Sequence, residues 1–170
     1  MDNRARRTLL TMGLLGLALL AQSTILGSVA IAGVKPNLAL VILIFAAYSA
    51  GPVVGEVSGF AAGLAQDFMS LPPLGFYALI RTILGFFVGK LQGSLVTGPV
   101  VLPVVLVVGG TFLDGALVWL LGALLGETLP FLGDQKFWIE AAYNGVLAPI
   151  VFAVLGRLRI YRSAEKERVR

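Results

Sequence analysis

Four ionisable side chains fall inside long apolar stretches of the sequence. They are Glu56, Asp67, Arg81 and Asp114. An ionised side chain at mid-bilayer costs about 2.5–3.5 kcal/mol on insertion scales, so such residues usually pair with one another or mark a functional site. Carboxylates also act as general acids or bases, but no motif here places them at one depth with a nucleophile or a metal. These residues therefore predict an ion pair or a contact with a ligand, an ion or a partner.

The sequence contains neither cysteine nor histidine. Their absence excludes thiolate nucleophiles, histidine-assisted catalytic pairs, zinc sites built on these ligands, and disulfides. The pI near 9.8 comes from basic residues at the two ends of the chain, beside apolar helices. That placement favours an anionic membrane surface over a nucleic acid. We predict no enzymatic activity, no metal and no cofactor.

Arg81 and Asp114 lie near the middle of their predicted helices, at matching depths. We therefore predict a buried ion pair between them. Asp67 is the alternative partner of Arg81, because a long arginine side chain can extend towards the outer face of the membrane. Glu56 and Asp67 lie near opposite ends of one predicted helix, so that both can reach lipid headgroups or water.

Small residues recur every four positions in the two predicted helices that contain most of these charges. The first row, which Asp67 continues, consists of Gly51, Gly55, Gly59 and Gly63. The second row, which Arg81 precedes, consists of Gly85, Gly89 and Gly93. Glycines allow two helix backbones to approach closely in lipid. We expect the rows to pack within this hairpin, and the alternative is that one of them receives a helix of another protein.

The composition indicates that these residues belong to a membrane protein. Of the 170 residues, 58% are hydrophobic and 13% are charged, whereas a soluble domain has about 25% charged residues. We predict an all-α integral membrane protein with one polytopic domain over residues 1–170. Short basic tails cover residues 1–7 and 156–170.

Six apolar runs predict six transmembrane helices. They cover approximately residues 8–26, 38–50, 53–69, 74–91, 98–125 and 138–155. The second run is short for a crossing of the roughly 30 Å hydrocarbon core, so a re-entrant hairpin with the third run is an alternative. The first run also resembles a signal peptide with a cleavage site at Ala30-Ile31-Ala32, but it is longer than a usual signal-peptide core.

The distribution of lysine and arginine predicts the orientation. Both tails are basic, so both favour the cytoplasm, which requires an even number of crossings. With six crossings, ten basic residues lie on the cytoplasmic side, and two, Lys35 and Lys136, lie outside. Phe137 and Trp138 are then aromatic anchors at the outer interface.

A recurring pattern of small and polar residues extends through the second to fourth runs. It consists of Lys35-Pro36-Asn37-Leu38, Gly51-Pro52, Gly55, Gly59-Phe60, Gly63-Leu64, Asp67, Ser70, Leu74-Gly75, Ala78-Leu79, Gly85 and Gly89. This pattern resembles the family of the rod shape-determining protein MreD. The specific part covers about a third of the chain, and the remainder is similar in hydropathy.

The resemblance implies a multi-pass protein of the bacterial cytoplasmic membrane without enzymatic activity. MreC is the implied partner, and MreB, RodA and a penicillin-binding transpeptidase are indirect partners. The resemblance also implies a fold similar to the substrate-binding subunits of energy-coupling-factor transporters. Within the pattern, the glycines would allow close packing. Asp67 would fix the outer end of its helix or contact a partner or ligand.

Two functions from different classes follow. The first is a membrane scaffold that binds MreC and helps to organise peptidoglycan synthesis and cell shape. The second is the substrate-binding subunit of a transporter for a vitamin or another small molecule. Such subunits often have small residues every four positions in their first helix, whereas Gly13, Gly16, Ala18 and Ala21 do not form a clear row here. The sequence therefore favours the scaffold.

Overall fold

Five helices make up most of the described chain. The structure is a computed structural model that describes residues 9, 11, 13–16, 33–70, 73–94, 98, 100–126 and 133–157. The helices are α1 (Leu38–Ala50), α2 (Pro52–Asp67), α3 (Phe76–Lys90), α4 (Val101–Leu124) and α5 (Gln135–Arg157). Residues 9, 11 and 13–16 are also helical.

Helix α1 forms the centre of the bundle. It begins after Asn37, whose side-chain oxygen accepts a hydrogen bond from the Leu40 amide at 3.1 Å and so caps the first turn. It packs against each of the other four helices. Its buried residues are Ala39, Leu40, Val41, Leu43, Ile44, Phe45, Ala46 and Ala47. The short second run is therefore the core helix around which the others pack.

A single residue separates α1 from α2. Gly51 has a φ of +91°, a backbone conformation that favours glycine, and Pro52 follows as the first residue of α2. Near this turn, the Gln92 side chain, just beyond α3, donates a hydrogen bond to the Ser49 carbonyl oxygen at 2.8 Å. The end of α1, the start of α2 and the end of α3 therefore meet at one end of the bundle, which we call the Gly51 end.

The opposite end is the Asn37 end, where α1, α3 and α5 begin and α2 and α4 finish. Contacts between α4 and α5 show the relative directions of these two helices. In α4 and α5, Phe112 makes edge-to-face contacts with Phe137 and Trp138, with ring centroids 5.0 and 5.5 Å apart. Six residues beyond Trp138 along α5, the Asn144 side chain donates to Thr111, the residue before Phe112 in α4. Helices α4 and α5 therefore run antiparallel.

Helices α4 and α5, of 24 and 23 residues, are long and apolar enough to cross a membrane. Helices α1, α2 and α3 have 13, 16 and 15 residues. At 1.5 Å per residue they span roughly 20–24 Å, which is less than a hydrocarbon core of about 30 Å. Length and composition thus identify two candidate crossings among the described residues.

The sequence predicted the helical character and the approximate helix bounds. The observed α1 has the expected bounds of 38 and 50, and the ends of the later helices differ from the expected ones by a few residues. Most of the first run, the possible cleavage site at residues 30–32 and most of both basic tails lie outside the described residues. Within the first run, Thr11 and Leu15 are buried.

Candidate functional site

Helices α2 and α3 pack backbone against backbone along the glycine rows. A Cβ atom added to any of five glycines would collide with the backbone of the other helix: Gly55 and Gly85 with each other, Gly59 with Arg81, Gly63 with Tyr77, and Gly89 with Pro52. The paired positions run in opposite directions, so the two helices are antiparallel. Such close contact increases van der Waals attraction where lipid supplies no hydrophobic driving force.

The glycine rows therefore face each other within the hairpin, so the glycines of these rows that lie in α2 and α3 are covered and not available to a helix of another protein. Two glycines of the predicted rows lie outside this contact. Gly51 forms the turn between α1 and α2, and Gly93 lies beyond the end of α3 with a φ of +72°. The remaining candidates all lie in the contact between α2 and α3.

Asp67, at the end of α2, caps the start of α3. Its carboxylate accepts hydrogen bonds from the backbone amides of Gly75 at 3.0 Å, Tyr77 at 2.7 Å and Ala78 at 3.2 Å. The first amides of a helix lack partners within the helix, and a carboxylate satisfies them strongly. The side chain thus fixes the turn between the two glycine-packed helices. Its oxygens bind backbone amides rather than Arg81.

Arg81 and Asp114 form an ion pair between α3 and α4. The distance from Arg81 Nε to Asp114 Oδ1 is 3.1 Å, and the side chains are 1% and 12% exposed. The structure thus pairs the two residues whose predicted depths match. Removing two charges from water is costly, and their mutual attraction compensates only when the remaining polar atoms also find partners.

Some of these polar atoms have no partner in the described part of the chain. Arg81 Nη1 and Nη2 are buried and make no hydrogen bond, and the Nε–Oδ1 contact also lacks hydrogen-bond geometry. Each unsatisfied buried group costs about 1–3 kcal/mol, and charged groups cost more. The guanidinium therefore presents unused donors to the interior of the bundle.

A hydrogen-bonded network near the ion pair joins α1, α4 and α5. The Asn37 amide donates to Asn144 Oδ1 at 2.9 Å, and Asn144 Nδ2 donates to Thr111 Oγ1 at 3.3 Å. The Thr111 hydroxyl donates to the Val107 carbonyl oxygen at 2.8 Å. Asn37 Nδ2 donates to Glu140 Oε1 at 3.2 Å. These bonds fix the positions of the three helices near the Asn37 end.

The network and the ion pair belong to one electrostatic unit. Glu140 interacts electrostatically with both Asp114 and Arg81. Tyr77 interacts with the same three charges and with Asp67. We call this unit the polar cluster, and its members are Asn37, Tyr77, Arg81, Thr111, Asp114, Glu140 and Asn144.

Sequence reasoning missed part of the polar cluster. The signal was present as pairs of polar residues one helical turn apart: Tyr77 and Arg81, Thr111 and Asp114, Glu140 and Asn144. Each pair places two polar groups on one face of a helix. Polar faces on three helices indicate a shared polar core. Whether the three pairs lie at the same level of the bundle is known only from the way the helices pack.

Glu56 does not belong to this cluster. It lies in the second turn of α2, near the Gly51 end, and is half-buried. Within the described ranges it forms no ion pair. No three histidine, cysteine, aspartate or glutamate side chains of the described residues converge on a point where a metal could bind.

Apolar helices around a buried ion pair, two of them long enough to cross a bilayer, define an all-helical membrane protein. Residues 3–158 of the 170 match the family model described as rod shape-determining protein MreD, so the chain belongs to that family. This confirms the resemblance read from the glycines and Asp67. The family is shape-determining and structural rather than a known family of enzymes. No curated protein and no solved structure matches the chain.

Proposed function

We propose that this protein is a non-enzymatic scaffold of the bacterial cell-elongation complex. It binds MreC in the cytoplasmic membrane. Through MreC it is linked indirectly to MreB, RodA and a penicillin-binding transpeptidase, and so helps to organise peptidoglycan synthesis and cell shape. The observation that supports this function is family membership over nearly the whole chain. The rigid, glycine-packed hairpin is consistent with a scaffold because it provides a fixed shape.

The scaffold is expected to bind its partner on a surface other than the glycine rows. Those rows are occupied by contacts between α2 and α3. Helices α4 and α5 have outward-facing apolar side chains along their length, namely Val101, Val105, Trp119, Leu120, Leu124, Trp138, Val146, Ile150 and Val154. The membrane helix of MreC would therefore pack against side chains rather than against bare backbone.

Six crossings with both termini in the cytoplasm remain part of this proposal. Lys90 and Arg157 end their helices at the Gly51 end, and Lys35 and Lys136 lie at the Asn37 end. Together with the basic tails, this distribution supports a cytoplasmic Gly51 end, because cytoplasmic segments are enriched in lysine and arginine. The similarity in fold to the substrate-binding subunits of energy-coupling-factor transporters stays a prediction.

Affinity purification tests the scaffold directly. The tagged protein is extracted from its native membrane in mild detergent, and retained proteins are identified by mass spectrometry. A second membrane protein with the same tag and expression level is the control. Enrichment of MreC and the wall-synthesis proteins over the control is expected. Enrichment of a paired ATPase module without MreC would overturn the scaffold in favour of a transporter subunit.

A further inference from the structure

Arg81 has hydrogen-bond donors that its own protein does not use. Its side chain is 1% exposed, and Nη1 and Nη2 together present four N–H groups without an acceptor among the described residues. A planar guanidinium fork matches the two oxygens of a phosphate or carboxylate group. The buried donors therefore favour a ligand that supplies anionic oxygens.

Glu140 has the opposite requirement. One carboxylate oxygen accepts a hydrogen bond from Asn37, and no lysine or arginine forms a salt bridge with Glu140 in the described part of the chain. Asp114 already balances the charge of Arg81, so Glu140 gives the cluster a formal net charge of −1. A positively charged donor would therefore be stabilised near Glu140.

Arg81 and Glu140 lie towards the Asn37 end of the bundle, whereas Asp114 lies near the middle of α4. Arg81 and Glu140 are each five residues from the start of their helices, which is about 8 Å along the axis. Tyr77 and Glu140 are half-buried, so these two members of the cluster are partly exposed at this end, whereas Arg81 is buried behind them. A headgroup or a small solute could approach from the Asn37 end.

We propose that the polar cluster binds a zwitterionic group in which an anionic oxygen lies close to an ammonium. The anionic oxygens accept from the Arg81 Nη atoms, and the ammonium donates to Glu140. The headgroup of phosphatidylethanolamine has this chemistry, and so does free glycerophosphoethanolamine. This site is independent of MreC binding and does not rest on the scaffold.

A purely anionic or purely cationic ligand fits the cluster less well. An anion would satisfy Arg81 but would add negative charge beside Asp114 and Glu140. A simple cation would balance Glu140 but would leave the Arg81 donors without acceptors. In a medium of low dielectric constant, both defects are costly. The zwitterion satisfies both side chains without changing the net charge of the cluster.

Native mass spectrometry of the purified protein tests the proposal with three lipids offered in equal amounts. Phosphatidylethanolamine has a phosphate whose oxygens accept hydrogen bonds and an ammonium whose N–H groups donate them. Phosphatidylcholine has a quaternary ammonium without N–H donors, and phosphatidylglycerol has no ammonium. We expect preferential retention of phosphatidylethanolamine. Glycerophosphoethanolamine, added without lipid, tests the soluble source by its effect on thermal stability.

Three variants separate the site from general attraction to lipid. Arg81→Lys keeps the charge beside Asp114 but removes the fork, and Glu140→Gln keeps an oxygen that can accept from Asn37. Each is expected to weaken the preference at least about tenfold, because one charge-assisted hydrogen bond is lost. Lys136→Gln removes an exposed cation at the same end and is expected to leave the preference unchanged. The melting temperature of each variant verifies that it is folded.

The outcomes are distinct. Retention of phosphatidylethanolamine that depends on Arg81 and Glu140 supports the site with a lipid as its occupant. Stabilisation by glycerophosphoethanolamine with the same dependence, but without lipid preference, supports a soluble zwitterion. Equal retention of the three lipids by folded wild-type protein, with no stabilisation by glycerophosphoethanolamine, overturns the proposal. A preference that persists in both folded cluster variants overturns it as well.

Discussion

At the scale of single residues, the buried charge of Arg81 depends on one carboxylate. Asp114 is its ion-pair partner, and no second acidic side chain of the described residues lies within ion-pair distance. A charge that loses its partner in a low-dielectric interior is far more costly than an apolar side chain in the same place. Replacing Arg81 by an apolar residue should therefore destabilise the protein while Asp114 is charged, and should cost much less once Asp114 has also been replaced.

Arg81→Leu is expected to destabilise the protein by about 3–5 kcal/mol, because it leaves Asp114 as an uncompensated buried charge. Combining Arg81→Leu with Asp114→Leu removes both charges and should recover much of the loss. Thermal unfolding of the purified variants in one detergent measures both effects. A double variant no more stable than Arg81→Leu would show that the pair does not determine stability.

Asp67→Ala is expected to destabilise the hairpin between α2 and α3, because three backbone amides at the start of α3 lose their acceptor. The loss of stability should be about 1–2 kcal/mol, in the upper part of the range of about 0.5–2 kcal/mol for a helix N-cap. The comparison variant is Asp134→Ala, which removes one exposed N-cap hydrogen bond, to the Lys136 amide at the start of α5, and is therefore expected to cost less than the loss of three bonds. Equal melting temperatures for the two variants would contradict the role assigned to Asp67.

At the scale of secondary structure, the contact between α2 and α3 has no room for side chains. The added Cβ of Gly59 would meet the Arg81 carbonyl oxygen, and rigid backbone cannot move aside as a flexible side chain can. The helices α2 and α3 would have to separate. This would also move the backbone of α3 that positions Arg81 and Tyr77. The close packing of α2 against α3 thus fixes the position of two members of the polar cluster, Arg81 and Tyr77.

Gly59→Ala is therefore expected to lower the melting temperature substantially, even though alanine favours helix formation by about 1 kcal/mol relative to glycine. Gly109→Ala is the matched control, because Gly109 is also helical but nothing lies within 4 Å of its added Cβ. That control should be neutral or slightly stabilising. A neutral Gly59→Ala would show that α2 and α3 do not pack as closely as described.

The sequence predicted the elements better than it predicted the cluster. Gly51-Pro52 and Asn37 mark the bounds of α1, because turns and caps depend on local residue types. The Arg81–Asp114 pair was predictable from depth alone. The roles of Glu140 and Asn144 were not: Glu140 lies near the start of α5, which is equally compatible with a solvated position, and a single asparagine within an apolar helix does not identify its partner. Only the packing of α5 beside α1 brings these side chains to Asn37.

At the scale of the whole molecule, the two ends of the bundle differ in chemistry. The Asn37 end contains the polar cluster and the cap formed by Asp67. At the Gly51 end, Lys90 lies over the ring of Phe86, with its amine 4.6 Å from the ring centroid. An orientation with the Gly51 end in the cytoplasm therefore directs the Asn37 end, with the half-buried Tyr77 and Glu140, towards the outer side of the membrane.

The absence of cysteine allows this orientation to be tested with single introduced thiols. Lys136→Cys at the Asn37 end and Lys90→Cys at the Gly51 end replace exposed residues. A membrane-impermeant maleimide applied to intact spheroplasts should label Lys136→Cys. It should label Lys90→Cys only after the membrane is permeabilised. The cysteine-free parent protein measures background. Labelling of Lys90→Cys alone in intact spheroplasts would invert the orientation, and labelling of both would mean that the two ends do not lie on opposite sides of the membrane.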